Sequence, residues 1–153
     1  MSIQKLLGAT LILLMLCACS NEEKPLEIKD KSFAETLLIN KVENNVSGVS
    51  GDPIVIKDNK KIIKLLTMVE GMKVKKGDSD KFFEELKTHD SYSFSISDKK
   101  KLKTGTHVAY SFYVLEDGTF FFMENAGSRK FYITTKTYPD VINKIKELLD
   151  INY

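Results

Sequence analysis

Two cysteines, Cys17 and Cys19, and two histidines, His89 and His107, are this chain's supply of soft or strongly nucleophilic side chains. A cysteine acts as nucleophile, metal ligand or redox partner only as an accessible thiolate. Both cysteines close an apolar run near the start of the chain, away from any other candidate group. His89-Asp90-Ser91 contains the letters of a hydrolytic triad. Neighbours along a chain do not converge into nucleophile, base and orienter, so the triplet reads as a polar turn before a strand. His107 reads as a solvated residue beside a basic loop. Carboxylates occur as Glu84-Glu85, Glu116-Asp117 and the Asp78/Asp80 pair. Glycoside hydrolysis needs two facing carboxylates in a cleft, whereas these fall at turns and helix starts. HExxH, GxSxG, P-loop and EF-hand patterns are absent from the sequence. The expectation is a protein without catalytic residues, metal or cofactor.

The N-terminal segment has a different chemistry. Lys5 is the single charge before an apolar run over residues 6–16, which ends in Leu16-Cys17-Ala18-Cys19. A run of eleven residues, interrupted only by Thr10, falls short of the roughly 20 apolar residues that span a bilayer. Charge, apolar stretch and small-residue cleavage site follow the order of an export signal. Leu16-Cys17-Ala18-Cys19 resembles the lipobox of bacterial lipoproteins. The resemblance implies that residues 1–18 are a signal peptide and that the Cys19 thiol takes a diacylglyceryl group. It implies a mature chain that starts at lipidated Cys19, with palmitate-type acyl chains in the cell membrane and the protein on the extracytoplasmic face. Without the lipid, the same segment would be an ordinary export signal cut after Ala18.

Removing residues 1–18 takes away Cys17, and lipidation blocks Cys19. No free thiol then remains, so a packed core, not disulfides, must hold the domain. It also removes Lys5, lowering the formal charge of +2 by one. Arg129 is the only arginine among 23 basic residues. A nearly neutral, lysine-dominated surface lacks the arginine forks and concentrated basic face that nucleic acid favours, so no nucleic-acid partner is expected.

Residues 19–31 are polar around Pro25 and read as a flexible lipidated tether. Residues 32–153 have the length of a single domain. A first strand is predicted over 33–42, a turn-rich loop over 44–53 and a short strand over 53–57. Asp58 opens a helix as an N-cap and Gly71 ends it. Between them Ile62, Leu65, Leu66 and Val69 share a face. Residues 72–77 read as a lysine-rich connection, and 79–87 as a short helix with Phe82, Phe83 and Leu86 inward. Tyr92, Phe94 and Ile96 alternate with Ser93, Ser95 and Ser97, the period of a strand with one wet face. Strands over 106–115, 119–124 and 130–135 follow. Pro139 starts a last helix, with Val141, Ile142, Ile145, Leu148 and Leu149 on one face. The fold class is α+β: an antiparallel meander sheet with two or three helices packed on one face. This layout is similar to that of small Bacillus-type extracytoplasmic lipoproteins, through Cys19, the Asp58-capped helix and the Tyr132 strand before a closing helix. That likeness implies an address and an architecture, not an activity.

Asp117-Gly118 is the dipeptide of a two-residue type I′ hairpin. In that register Leu115 faces Phe120 and Tyr113 faces Phe122. Val108, Tyr110, Phe112, Val114, Phe121 and Met123 then share the core face. Tyr113, Leu115, Phe120 and Phe122 share the other, beside the serines of the preceding strand. They form either an exposed aromatic binding surface or a second packed face under residues 33–42 or Phe82-Phe83. Lys99, Lys100, Lys101 and Lys103 form a basic loop, a solvated tip or a foot on an anionic lipid or wall polymer.

The function expected is therefore a membrane-anchored, non-catalytic binding or interaction module. It meets the membrane through the lipid on Cys19 and an unknown protein or envelope partner through the Tyr113, Leu115, Phe120 and Phe122 face. An inhibitor or immunity-type lipoprotein is the alternative, using an exposed loop or edge strand. A small hydrolase would need a cleft where His89 or His107 meets a carboxylate and a hydroxyl.

Overall fold

The computed structural model describes residues 22–43, 46–47, 52–101, 107–124 and 130–152. The signal segment, Cys19, Lys103 and residues 125–129 lie outside them.

Among the described residues nine strands form one sheet, in the order β1-β5-β9-β8-β7-β6-β2-β3, with β4 also pairing β2. The strands are β1 (Lys24–Pro25), β2 (Thr36–Glu43), β3 (Val46–Ser47), β4 (Ile54–Ile56) and β5 (Lys73–Lys76). The meander is β6 (Ser91–Ser97), β7 (Tyr110–Leu115), β8 (Phe120–Met123) and β9 (Phe131–Thr134). The helices are α1 (Asn59–Val69), α2 (Ser79–Thr88) and α3 (Pro139–Leu149). All eight strand pairs are antiparallel. The architecture is α+β, helices on an antiparallel sheet.

Each helix starts where its sequence supplies an end group. Asp58 accepts from the backbone N–H groups of Lys60 and Lys61, and Asp78 from those of Asp80 and Lys81. These bonds satisfy donors that a helix start leaves free. Pro139 opens α3, where its missing N–H costs nothing. Gly71 follows α1 at φ 80°, as the sequence requires.

The main core lies between one sheet face and helices α1 and α3. Leu37, Ile39, Tyr92, Phe94, Ile96, Phe112, Val114, Phe120 and Phe122 meet Ile62, Leu65, Leu66, Val69, Ile142, Ile145 and Leu149 there. A second, smaller core lies on the opposite face. Phe82 and Leu86 of α2 pack on Leu115, Phe121 and Phe131, with Tyr113, Met123 and Ile133 at the margin. The sheet is thus covered on both sides of its β7-β8-β9 half. Phe83, expected inward, is 46% exposed on the outer side of α2.

Two stretches expected to be unstructured are held. Residues 19–31 are no free tether from Lys24 onward: Lys24 and Pro25 pair with Val74 and Lys73. Leu26 and Ile28 are buried, and the Leu26 N–H donates to Met72 O at 2.8 Å. Alternation of Leu26 and Ile28 with Glu27 and Lys29 is the strand-like signal that the charges obscure. Residues 72–77, expected as a connection, contain β5. There Val74 is buried between exposed lysines, again a period of two.

Candidate functional site

The β7-β8 hairpin decides which side chains reach which face. Its loop has three residues, not two. Leu115 N–H donates to Thr119 O at 2.9 Å, and Gly118 N–H to Leu115 O at 3.0 Å. Gly118 sits at φ 87°, while Asp117 is not in the left-handed region. A type I′ turn would need both there. This is instead the longer turn whose last residue is left-handed. The Asp117 carboxylate accepts from the Thr119 N–H at 2.8 Å and the Thr119 hydroxyl at 3.0 Å, which fixes the turn locally. Gly118 also lies against the start of α3: a Cβ there would come within 2.5 Å of Pro139 N.

The extra residue slips the register by one. Phe112 faces Phe122, Tyr113 faces Phe121 and Val114 faces Phe120. A one-residue slip turns every β8 side chain to the other side of the sheet. The expected face of Tyr113, Leu115, Phe120 and Phe122 is therefore split. Phe120 and Phe122, 0% and 1% exposed, belong to the main core, while Leu115, at 3%, lies under α2. Tyr113 is half-buried beside Phe82, ring centroids 5.2 Å apart, and burial raises its phenol pKa. These four residues form no open surface.

What remains open is a cleft of about 410 Å³ at the edge of the second core. Its apolar floor is Leu115, Phe121, Phe131 and Ile133. One wall is the entry to α2, with Gly77, Asp78, Lys81 and Glu85; β5 adds Lys75 and Lys76. Facing it are Asp117, Thr119 and residues 134–137, including Lys136. Gly77 is required for this closeness, because a Cβ would collide with the Phe131 ring. Gly77 N–H also donates to Phe131 O at 2.9 Å, which ties the α2 entry to β9.

The charges in the cleft are unevenly partnered. Asp78 caps α2 with its carboxylate, and Asp117 is engaged within its own turn. Glu85 lies 3.1 Å from His89 Nδ1. Among the described residues, Lys75, Lys76 and Lys81 make no ion pair. The Lys136 ammonium lies 5.1 Å above the Tyr138 ring. The cleft thus sets ammonium groups and threonine hydroxyls around an apolar floor, which suits an anionic group carrying an apolar portion. Sequence reading missed it because its lining comes from three separated segments, 75–85, 115–121 and 131–137. The alternation of Val74 with its lysines was the one local clue.

His89 does meet a carboxylate and a hydroxyl, but in the wrong arrangement for hydrolysis. Thr88 Oγ1 lies 2.9 Å from His89 Nδ1, the same nitrogen that approaches Glu85. A triad needs the acid on one ring nitrogen and the nucleophile on the other. The group is exposed at the end of α2, where it caps the helix. His107 is exposed too; its backbone carbonyl accepts from the Ser97 hydroxyl at 2.9 Å. Lys99, Lys100 and Lys101 are exposed. Among the described residues no helix is long and apolar enough to cross a membrane.

Comparison of the chain with protein-family models, with curated proteins and with solved structures finds no match.

Proposed function

We propose that this chain is a lipid-anchored protein of the extracytoplasmic membrane face, acting as a non-catalytic binding module whose ligand site is the cleft beside α2. The address rests on Leu16-Cys17-Ala18-Cys19 at the end of the apolar run. The binding role is carried by one observation: Lys75 and Lys81 line the apolar floor on the α2 side and, among the described residues, make no ion pair. The ligand class is an anion with an apolar portion.

Titration of a protein starting at Ser20 with octyl phosphate tests the cleft, read by tyrosine fluorescence, which no tryptophan masks. Saturable binding is expected. Lys75→Ala and Lys81→Ala should each weaken it about tenfold, the scale of a hydrogen bond to a charged group at ~1.5 kcal/mol. Absence of saturation, or unchanged affinity in both variants, would remove the cleft as a site.

A further inference from the structure

We infer that the β1-β5 edge of the sheet stands on the membrane and docks against anionic lipid headgroups. The inference rests on the proposed lipid anchor at Cys19.

Geometry supplies the first argument. Lys24 is already fixed in the fold: it pairs with Val74, and its ammonium lies 4.0 Å above the Tyr132 ring. It stands five residue steps from Cys19, a reach of at most about 18 Å when fully extended. An acylated Cys19 therefore holds this edge close to the headgroups and permits little choice of which side of the domain faces them. The basic loop at 98–101 follows β6, five strand spacings from β1, or about 24 Å at ~4.8 Å per strand. It is a poor foot for an anchor that enters at the opposite edge.

Charge supplies the second argument. β5 reads Lys73-Val74-Lys75-Lys76, and all three lysines are exposed. Side chains alternate along a strand, so Lys73 and Lys75 flank the edge on the α2 side. Lys76 and Lys24 flank it on the side of α1 and α3. Lys136 is exposed just beyond β9, the neighbour of β5. Among the described residues, Glu22 and Glu23 lie at this edge without an ion pair, Glu27 pairs with Lys29 at 3.3 Å, and Asp78, two residues after Lys76, caps α2. Five ammonium groups against three carboxylates, on both sides of one edge, match an anionic plane met edge-on. Each lysine brought to such a surface raises partitioning roughly fivefold. Lysines on an edge strand also discourage strand-to-strand association, but that role is indifferent to lipid charge.

The test uses the full lipidated chain, reconstituted in vesicles of phosphatidylcholine alone or with about one-third phosphatidylglycerol. Amine acetylation is followed at each lysine by mass spectrometry. With the anionic lipid, Lys24, Lys73, Lys75 and Lys76 should react several-fold more slowly, and Lys60, Lys64 and Lys144 on the helices should not change. About 1 M salt should abolish the difference, because it shortens electrostatic reach to about 3 Å. Lys75→Glu with Lys76→Glu should remain anchored and lose the protection of Lys24 and Lys73. Equal reactivity in both vesicles, with lipid found on Cys19, overturns the docking edge and leaves the anchor intact. Protection of Lys99, Lys100 and Lys101 instead also overturns it. A Cys19 without lipid removes the anchor and this inference together.

Discussion

Glycines 71 and 118 show how much one position decides. Both have positive φ, at 80° and 87°. Around Gly71 nothing lies within 4 Å of a Cβ, whereas at Gly118 the backbone of Tyr138 and Pro139 does. Gly71→Ala should cost about 1–2 kcal/mol, the penalty of a left-handed alanine. Gly118→Ala should cost more, because the hairpin must also leave α3, whose Tyr138 N–H donates to Gly118 O at 2.8 Å. Thermal melting of the two variants checks the order. Asp117-Gly118 was legible as a turn, but not its length. The two-residue and three-residue loops differ in whether Asp117 has positive φ, and its carboxylate bonds to Thr119 hold the longer form. From that single residue follows the misplacement of Phe120 and Phe122. Phe120→Ser with Phe122→Ser should now unfold the domain, since two hydroxyls would enter a dry core. Phe83→Ser should melt within about 0.5 kcal/mol of the parent, as surface substitutions do. A folded double variant would return Phe120 and Phe122 to the surface.

At the scale of elements, helices were the most legible parts. Asp58, Gly71 and Pro139 are end signals with a single reading, and apolar spacing of 3 and 4 marked the inward faces of α1 and α3, while in α2 Phe83 turned outward. Short lysine-rich strands were not. β5 buries only Val74 and β1 buries nothing before Leu26 follows it, so their alternation is too brief to outweigh composition. Their pairing depends on partners far along the chain, which local pattern does not carry. Glu70 shows how the entering segment is fastened. It accepts from Lys31 Nζ at 2.9 Å and from the Ile28 N–H at 3.3 Å. The hydrogen bond from Lys31, then that from Ile28, holds its carboxyl below the ordinary value of 4.5. A depressed carboxyl stabilises the fold above its unfolded value, and that stability is lost as pH falls through the folded one. Amides of residues 26–31 should therefore exchange faster, relative to the core, as pH drops below about 4.5. Glu70→Gln should show the same loosening at pH 7 and little further change in acid. Exchange monitored by mass spectrometry at matched intrinsic rates reads both. An unchanged segment in the variant would mean that Leu26 and Ile28 alone hold it.

For the whole molecule, fold class was readable because helix and strand periods alternate in an order that few architectures accept. The second core was not, since Leu115, Phe121 and Phe131 meet Phe82 only after the register is set. That core covers Leu115 and Tyr113, the main core takes Phe120 and Phe122, and the cleft lies beside the smaller core. The proposed address, in contrast, rests on four consecutive residues, Leu16-Cys17-Ala18-Cys19. A covalent modification needs no fold to be recognised, only a processing enzyme that reads the segment. The proposed anchor links both ideas about function, because it brings the β1-β5 edge and the neighbouring cleft to the membrane. The most direct test is the intact mass of the protein extracted from its own membrane. The proposal predicts a chain beginning at Cys19, carrying a diacylglyceryl thioether and missing residues 1–18. It also predicts that Cys19→Ala leaves the membrane fraction and takes up no labelled palmitate. An unacylated mature chain, or a Cys19→Ala protein that stays membrane-bound and labelled, would contradict it.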